Sequence, residues 1–267
     1  MENREKKRIL VLGGGFAGVE CTLKLESYFK NNSNIEITLV SEDNFLLFTP
    51  MLPQVASGTI ETRHIVTPIR TLIKKTRFYE ARIKNIDPYG KVVTLFGTRE
   101  SRGMRIHYDF LVVALGSQTN FFGMKDVEEN SYKMNTINDA ILLRNRIIDL
   151  LEQAENETNP ISRKTLLQIV VVGGGFAGVE TAGEINDFIN EIAEYYPSIN
   201  YKDVKVTLIE ATSEILSGFP QKLAVFAKEK LVERGIEVIL QAGVTSFDGT
   251  EITLKSQSES NKVLVGN

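Results

Sequence analysis

Apolar runs of strand length recur along the chain, each closed by glycines or polar turn residues. Ile9-Leu10-Val11-Leu12 reads as a buried strand. Glycines follow it, then helical spacing over residues 16–30, stopped by Asn31-Asn32-Ser33-Asn34. Ile35-Glu36-Ile37-Thr38-Leu39-Val40 predicts a second strand. The same order returns later: an apolar strand from Ile169, a helix over 176–196 ending near Pro197, and a strand over 204–209. Between the two β–α–β units, 77–86 and 91–96 flank the turn Asp87-Pro88-Tyr89-Gly90 and predict short antiparallel strands. Residues 108–114 predict another buried strand, ending at Gly116-Ser117. An amphipathic helix is expected over 138–154, and a polar linker containing Pro160 over 155–164. Beyond the second unit a helix is expected over 221–234, with strands over 236–240 and 251–255. The tail, 256–267, begins polar, and its Val-Leu-Val is too brief to assign. The pattern implies an α/β protein with two Rossmann-like dinucleotide-binding domains, each with a mostly parallel sheet, plus short antiparallel excursions.

The octapeptide GGGFAGVE sits at the turn of both units, at 13–20 and again 160 positions later at 173–180. That spacing is far too long for a solenoid repeat and suggests two domains of one design. Gly13, Gly15 and Gly18, and Gly173, Gly175 and Gly178, fit the spacing GxGxxG. The first glycine permits a tight turn out of the strand, the second lets a pyrophosphate approach the backbone, and the third lets helix and strand pack closely. The helix N-terminus supplies free N–H groups and a positive dipole end for the anion. The spacing alone is weak, but here each copy follows a strand and opens a helix. The alternative is a glycine-rich turn without a ligand.

The residue ending the next strand selects the nucleotide. Glu210 in the second unit can accept from both adenosine ribose hydroxyls and would repel a 2′-phosphate, which favours NAD(H) over NADP(H). In the first unit that place holds Ser41, and the acid comes one residue later as Glu42. Ser41 can still contact a ribose; Glu42 reaches it if the chain bends, and is otherwise a loop residue.

Composition is that of an ordinary globular protein: 42% apolar, 24% charged, no tryptophan, formal net charge −3. Nothing points to nucleic acid. Arg4-Glu5-Lys6-Lys7-Arg8 reads as a solvated lead-in to the first strand. No apolar region of signal-peptide type follows it, and no run approaches the ~18 residues of a transmembrane helix. A single cysteine, Cys21, excludes an internal disulfide and CxxC chemistry and fits a reducing, cytoplasmic compartment. His64 and His107 lie in polar, irregular surroundings and read as surface residues, and no metal site is expected.

Two such units with an antiparallel excursion between them resemble the flavoproteins with two dinucleotide-binding domains. YDFLVVALGS (108–117) looks like that family's crossing out of the flavin domain. Within it the chain is most similar to type II NADH dehydrogenases. NFLLFTPMLPQVASG (44–58), VVALGSQTNFFGM (112–124), GGGFAGVETAGEI (173–185) and FINEIAEYYPSINYKDVKVTLIEA (188–211) carry the resemblance, the first most specifically. It implies an FAD-binding domain over 1–118, a crossing segment and linker helix over 119–165, and an NAD(H)-binding domain over 166–267. Gly13, Gly14, Gly15, Phe16, Ala17, Gly18, Ser41, Glu42, Leu46, Ile83 and Gly116 would lie against FAD, with Thr49 and Pro50 approaching the isoalloxazine. Gly173, Gly175, Gly178 and Glu210 would hold NADH. Glu180 sits where the resemblance puts a carboxylate near the stacked nicotinamide and flavin; the alternative is an acid favoured by the helix dipole. Glu20, its counterpart in the first unit, has no assigned chemistry.

The implied reaction takes hydride from NADH to FAD and two electrons on to a quinone, with the cofactors supplying the chemistry. Disulfide reductases and sulfide:quinone oxidoreductases of this design need more cysteines than Cys21. Ferredoxin or rubredoxin reductase-like flavoproteins, and a nucleotide-binding protein without turnover, remain as alternatives. The family's third flavin segment contains Gly-Asp, a dipeptide found nowhere in this sequence. The expectation is therefore an N-terminal portion lacking that segment and the quinone and membrane region, with FAD retention and quinone reduction impaired. The complete protein is expected to be a homodimer, peripheral on the cytoplasmic side of a membrane.

Overall fold

The structure is a computed structural model that describes residues 6–97, 103–256 and 262–267. Arg4 and Glu5 of the basic lead-in and 257–261 of the tail lie outside the described residues. The chain forms two compact units: Met1–Phe48 with Ile65–Gln118, and Thr49–His64 with Thr119–Asn267.

The first unit opens with β1 (Lys7–Leu12), α1 (Phe16–Tyr28), β2 (Ile35–Ser41) and β3 (Phe45–Leu47). The chain then contributes a 3-10 turn at Thr49–Met51, α2 (Leu52–Ala56) and a 3-10 turn at Thr62–His64 to the second unit. It returns as β4 (Val66–Pro68), α3 (Ile69–Leu72), β5 (Arg77–Asp87), β6 (Val92–Gly97), β7 (Gly103–His107) and β8 (Phe110–Val113). The six-stranded sheet runs β7-β6-β5-β2-β1-β8. β5 serves twice: its start pairs parallel with β2 and its remainder antiparallel with β6. β1 is buried on both faces. Leu10 and Leu12 pack with Val93 and Leu95, while Val11 packs with Val19, Ile69 and Phe78. That two-sided burial is why the run does not alternate.

Glu26 fixes α1 to the loop after α3. Its carboxylate accepts from the consecutive backbone N–H groups of Lys74 (3.0 Å), Lys75 (2.7 Å) and Thr76 (2.7 Å). Burial pushes this carboxyl up, but the donors from Thr76, Lys75 and Lys74 outweigh it and hold it below its ordinary 4.5.

The second unit adds α4 (Lys125–Asn130), α5 (Ile137–Asn156), α6 (Pro160–Leu166), β9 (Gln168–Val172), α7 (Phe176–Ile192), β10 (Lys205–Ile209), α8 (Gln221–Glu233), β11 (Glu237–Ile239), β12 (Ala242–Phe247), β13 (Glu251–Ser256) and β14 (Lys262–Val265). A parallel sheet runs β11-β10-β9 and a separate antiparallel one β12-β13-β14. α5 starts on a capping box between Thr136 and Asp139. Leu208, Ile169, Ile185 and Ile189 lie in the core where α7 covers the sheet.

Three local expectations are corrected. The stretch 155–164, expected as linker, contains the start of α6: Pro160 opens the helix, and the Asn159 side chain accepts from the N–H groups of Ile161 and Ser162. The tail's Val-Leu-Val belongs to β14, because β13 supplies the pairing that so short a run cannot supply alone. α7 ends at Ile192, and the next turn is 3-10 (Ala193–Tyr195).

The units repeat one another more deeply than their shared octapeptide. The Asp109 N–H donates to the Arg8 carbonyl (2.9 Å), and the Asn267 N–H donates to the Gln168 carbonyl (2.8 Å). Arg8 and Gln168 are themselves 160 positions apart.

Glu26→Ala should cost about 1–3 kcal/mol, the scale of hydrogen bonds to a charged acceptor. Since the folded carboxyl titrates lower than the unfolded one, the stabilisation is complete above pH 4.5 and lost as pH falls through the lower folded value. Urea melts of both proteins should therefore converge in acid; a constant difference down to low pH would contradict this.

Candidate dinucleotide-binding site

The three glycines of each fingerprint stand in different surroundings. Gly13 and Gly173 turn the chain at φ +108° and +106°, a region that favours glycine. A Cβ on Gly18 would overlap the carbonyl oxygen of Gly13, and one on Gly178 that of Gly173. Strand and helix cross there without room for a methyl group. Gly15 and Gly175 differ. Their φ values, −78° and −73°, suit any residue, and a Cβ on either would meet no described atom within 4 Å. Neither backbone conformation nor protein packing requires glycine at these two positions.

Gly15 and Gly175 are also the N-caps of α1 and α7. Neither helix has a side-chain cap, and neither carries an acid in its first turn. The first-turn N–H groups therefore lack the usual side-chain acceptor, and no acid of the first turn itself competes for them. Space beside a residue without Cβ, next to an uncapped positive helix end, suits a diphosphate. Glu180 is the fifth residue of α7, past the first turn, and it is exposed. The dipole account of that acid is thus corrected: the field falls off within the first turn. Glu20 occupies the matching place on α1 and lies 3.6 Å from Lys24, an exposed pair worth little.

Glu210 joins the second fingerprint directly. One carboxylate oxygen accepts from the Gly174 N–H at 2.6 Å and the other from the Thr212 N–H at 2.7 Å. Burial raises this carboxyl, but the N–H bonds from Thr212 and Gly174 outweigh that and hold it below 4.5. It is ionised at neutral pH, and the Thr212 hydroxyl and the Ala211 N–H add to the donors around it.

The first unit builds the same turn with other residues. The Gly13 N–H donates to Val40 and the Gly173 N–H to Ile209, both at 2.8 Å, so Ser41 and Glu210 follow equivalent residues. Ser41 is buried against Gly14, as a Cβ there would strike its hydroxyl. Glu42 is exposed and paired with Arg82 on β5. Leu46 packs on the cluster of Val11 and Ile69, and Ile83 on that of Leu10 and Val93. Gly116 turns at φ +73° after β8. Thr49 and Pro50 are exposed in the 3-10 turn of the second unit.

Several residues around the turns were not singled out from the sequence. Ile69 abuts Gly14, and Ile215 abuts Gly174. The aromatic of each octapeptide also has an edge-on partner: Phe16 with Phe48 at 5.5 Å, and Phe176 with Phe219 at 4.6 Å. These partners come from loops of different length and spacing, so no repeat in the sequence marks them. His64 and His107 are exposed, and Cys21 is half-buried on α1. No group of His, Cys, Asp and Glu among the described residues could hold a metal ion.

The profile of the pyridine nucleotide-disulphide oxidoreductase family matches residues 7–265. The chain is 38% identical over 264 residues to the mitochondrial external alternative NAD(P)H-ubiquinone oxidoreductase B3 of Arabidopsis thaliana, covering 95% of this chain and 44% of that protein. It is 33% identical to the mitochondrial external NADH-ubiquinone oxidoreductase 2 of Saccharomyces cerevisiae, covering 96% and 48%. The structure of NDH2 from Plasmodium falciparum in complex with NADH matches with a TM-score of 0.89 at 28% identity, covering 98% of this chain and 54% of that one. The chain thus spans about half the length of these relatives.

Gly175→Ala should change stability by less than about 1 kcal/mol, yet weaken NADH binding about tenfold or more by obstructing the diphosphate. Gly178→Ala should instead cost about 1–3 kcal/mol or more through overpacking. Thermal melts beside NADH titrations separate the two; equal destabilisation by both would refute this division of labour.

Proposed function

This chain belongs to the pyridine nucleotide-disulphide oxidoreductase family, and we propose that it carries the dinucleotide-binding machinery of a type II, FAD-dependent NADH:quinone oxidoreductase. The observation that carries the reading is the pair Gly15 and Gly175, glycines for which the protein itself supplies no reason. The likeness to enzymes named for NAD(P)H and ubiquinone supports the donor and acceptor. Bound FAD would supply the redox chemistry, accepting hydride from NADH and delivering two electrons to a quinone.

The chain's own residues bind and align. The free N–H groups of α1 would hold the FAD diphosphate, with Ser41 and Glu42 toward its ribose. Those of α7 would hold the NADH diphosphate, with Glu210 accepting from the ribose hydroxyls and repelling a 2′-phosphate. Thr49 and Pro50 would approach the isoalloxazine, and Glu180 the nicotinamide. Hydride transfer needs reacting atoms within about 3–3.5 Å, so placement matters more than acid–base groups.

The complete protein, on this reading, works as a homodimer on the cytoplasmic face of a membrane; the resemblance supports this. No helix of the described residues is long and apolar enough to cross a membrane.

The visible spectrum of the purified chain, followed by anaerobic NADH and then a soluble quinone, tests the reading. Any flavin the chain retains is expected to bleach with NADH, with recolouring by quinone weaker than in a full-length relative; bound flavin that NADH leaves oxidised would overturn the reading. Glu210→Arg should shift relative affinity from NADH toward NADPH by about tenfold or more, the scale of one lost charge-assisted bond. An unchanged affinity ratio would remove Glu210 from the ribose site.

A further inference from the structure

The stretch 49–64 interrupts the first unit in sequence but folds in the second. Leu52, Val55 and Ala56 of α2 are buried, and α2 packs against α5 and α7. Two directional polar contacts, together a pin, add to that packing. Both oxygens of one carboxylate, Glu184 on α7, are taken by this stretch: Oε2 accepts from the Ser57 hydroxyl at 2.8 Å, and Oε1 from the Gln54 amide at 3.2 Å.

The Ser57 hydroxyl is buried and lies 2.8 Å from that of Thr59. It has one proton, shared between the Glu184 carboxylate at 2.8 Å and the Gln54 backbone carbonyl at 3.0 Å, leaving Thr59 to donate to Ser57. Gln54 Oε1 is buried without a partner among the described residues. A side chain with one polar atom buried and unpaired is costly, and what Gln54 gains in return is its bond to Glu184. Glu184 follows Glu180 by four residues, so both lie on one face of the helix that the second fingerprint opens. The pin therefore ties the stretch bearing Thr49 and Pro50 to the helix bearing Glu180.

We infer that Glu184 is a positioning residue for hydride transfer: by gripping Ser57 and Gln54 it sets how the Thr49–Pro50 turn lies along α7. This rests on the NADH-to-flavin reading given above. Glu184 touches no reacting atom, so its loss should slow transfer without weakening nucleotide binding.

The test is anaerobic stopped-flow bleaching of the FAD-loaded protein at saturating NADH, with NADH Kd and flavin content measured alongside. Glu184→Ala should lower the limiting rate about 10- to 100-fold, the scale of an ångström-sized misplacement, with Kd and flavin content unchanged. Glu184→Gln keeps an acceptor for Ser57 and should recover most of the rate. Ser57→Ala removes one bond of the pin and should show a smaller loss in the same direction, a readout that stands if Glu184→Ala does not fold. A wild-type limiting rate in both Glu184→Ala and Ser57→Ala, or a loss confined to Kd, would overturn the inference. If the unsubstituted protein is loaded with FAD but not bleached by NADH, the functional reading itself fails and the inference falls with it.

Discussion

The closest constraint in the molecule is the crossing of a helix over the end of its own strand. At Gly18 and at Gly178 the helix backbone passes so near the carbonyl of the first glycine that a Cβ has no room. This contact brings the N-terminus of α1 up to β1 and that of α7 up to β9. Everything chemical in the two turns follows from it. The helix ends are uncapped by side chains, a glycine stands beside them with open space, and the next parallel strand delivers its last residue to the same place. A methyl group at the crossing would displace the helix end and with it the N–H groups that an anion needs.

Around that shared turn the two units have diverged in what surrounds it. In the second, a carboxylate reaches back to the turn's own N–H and is held ionised there. In the first, a buried serine fills the equivalent place, and the nearby acid is occupied by Arg82. Each turn nevertheless receives an isoleucine, against Gly14 in one and Gly174 in the other, and an aromatic ring against its phenylalanine. The packing that shapes the turn is common to both units, whereas the charge presented to a ribose is not. That difference is the physical basis for the proposal that two identical octapeptides serve different nucleotides.

Much of this was legible in the sequence, because the glycine spacing and the buried strands before it are local signals. The equivalence of Ser41 with Glu210, and the one-residue displacement of Glu42, could be read by aligning strand ends, and the hydrogen bonds from Gly13 and Gly173 agree. What stayed hidden depends on distant partners. Ile69 and Ile215 follow strand ends by unequal numbers of residues, and Phe48 and Phe219 sit in loops with no common pattern. The Glu184 pin joins residues over a hundred positions apart. α6 was missed for a different reason: its Asn159-Pro160 start is a helix signal, but the polar residues around it look like linker.

The central claim is that the two turns serve different dinucleotides through the same device. It is tested most directly by making Gly15→Ala and Gly175→Ala separately and measuring both FAD content and NADH affinity in each. The account predicts opposite losses: Gly15→Ala loses flavin while its NADH Kd holds, and Gly175→Ala keeps flavin while NADH binding weakens. Loss of the same nucleotide in both variants, or of neither, would contradict it.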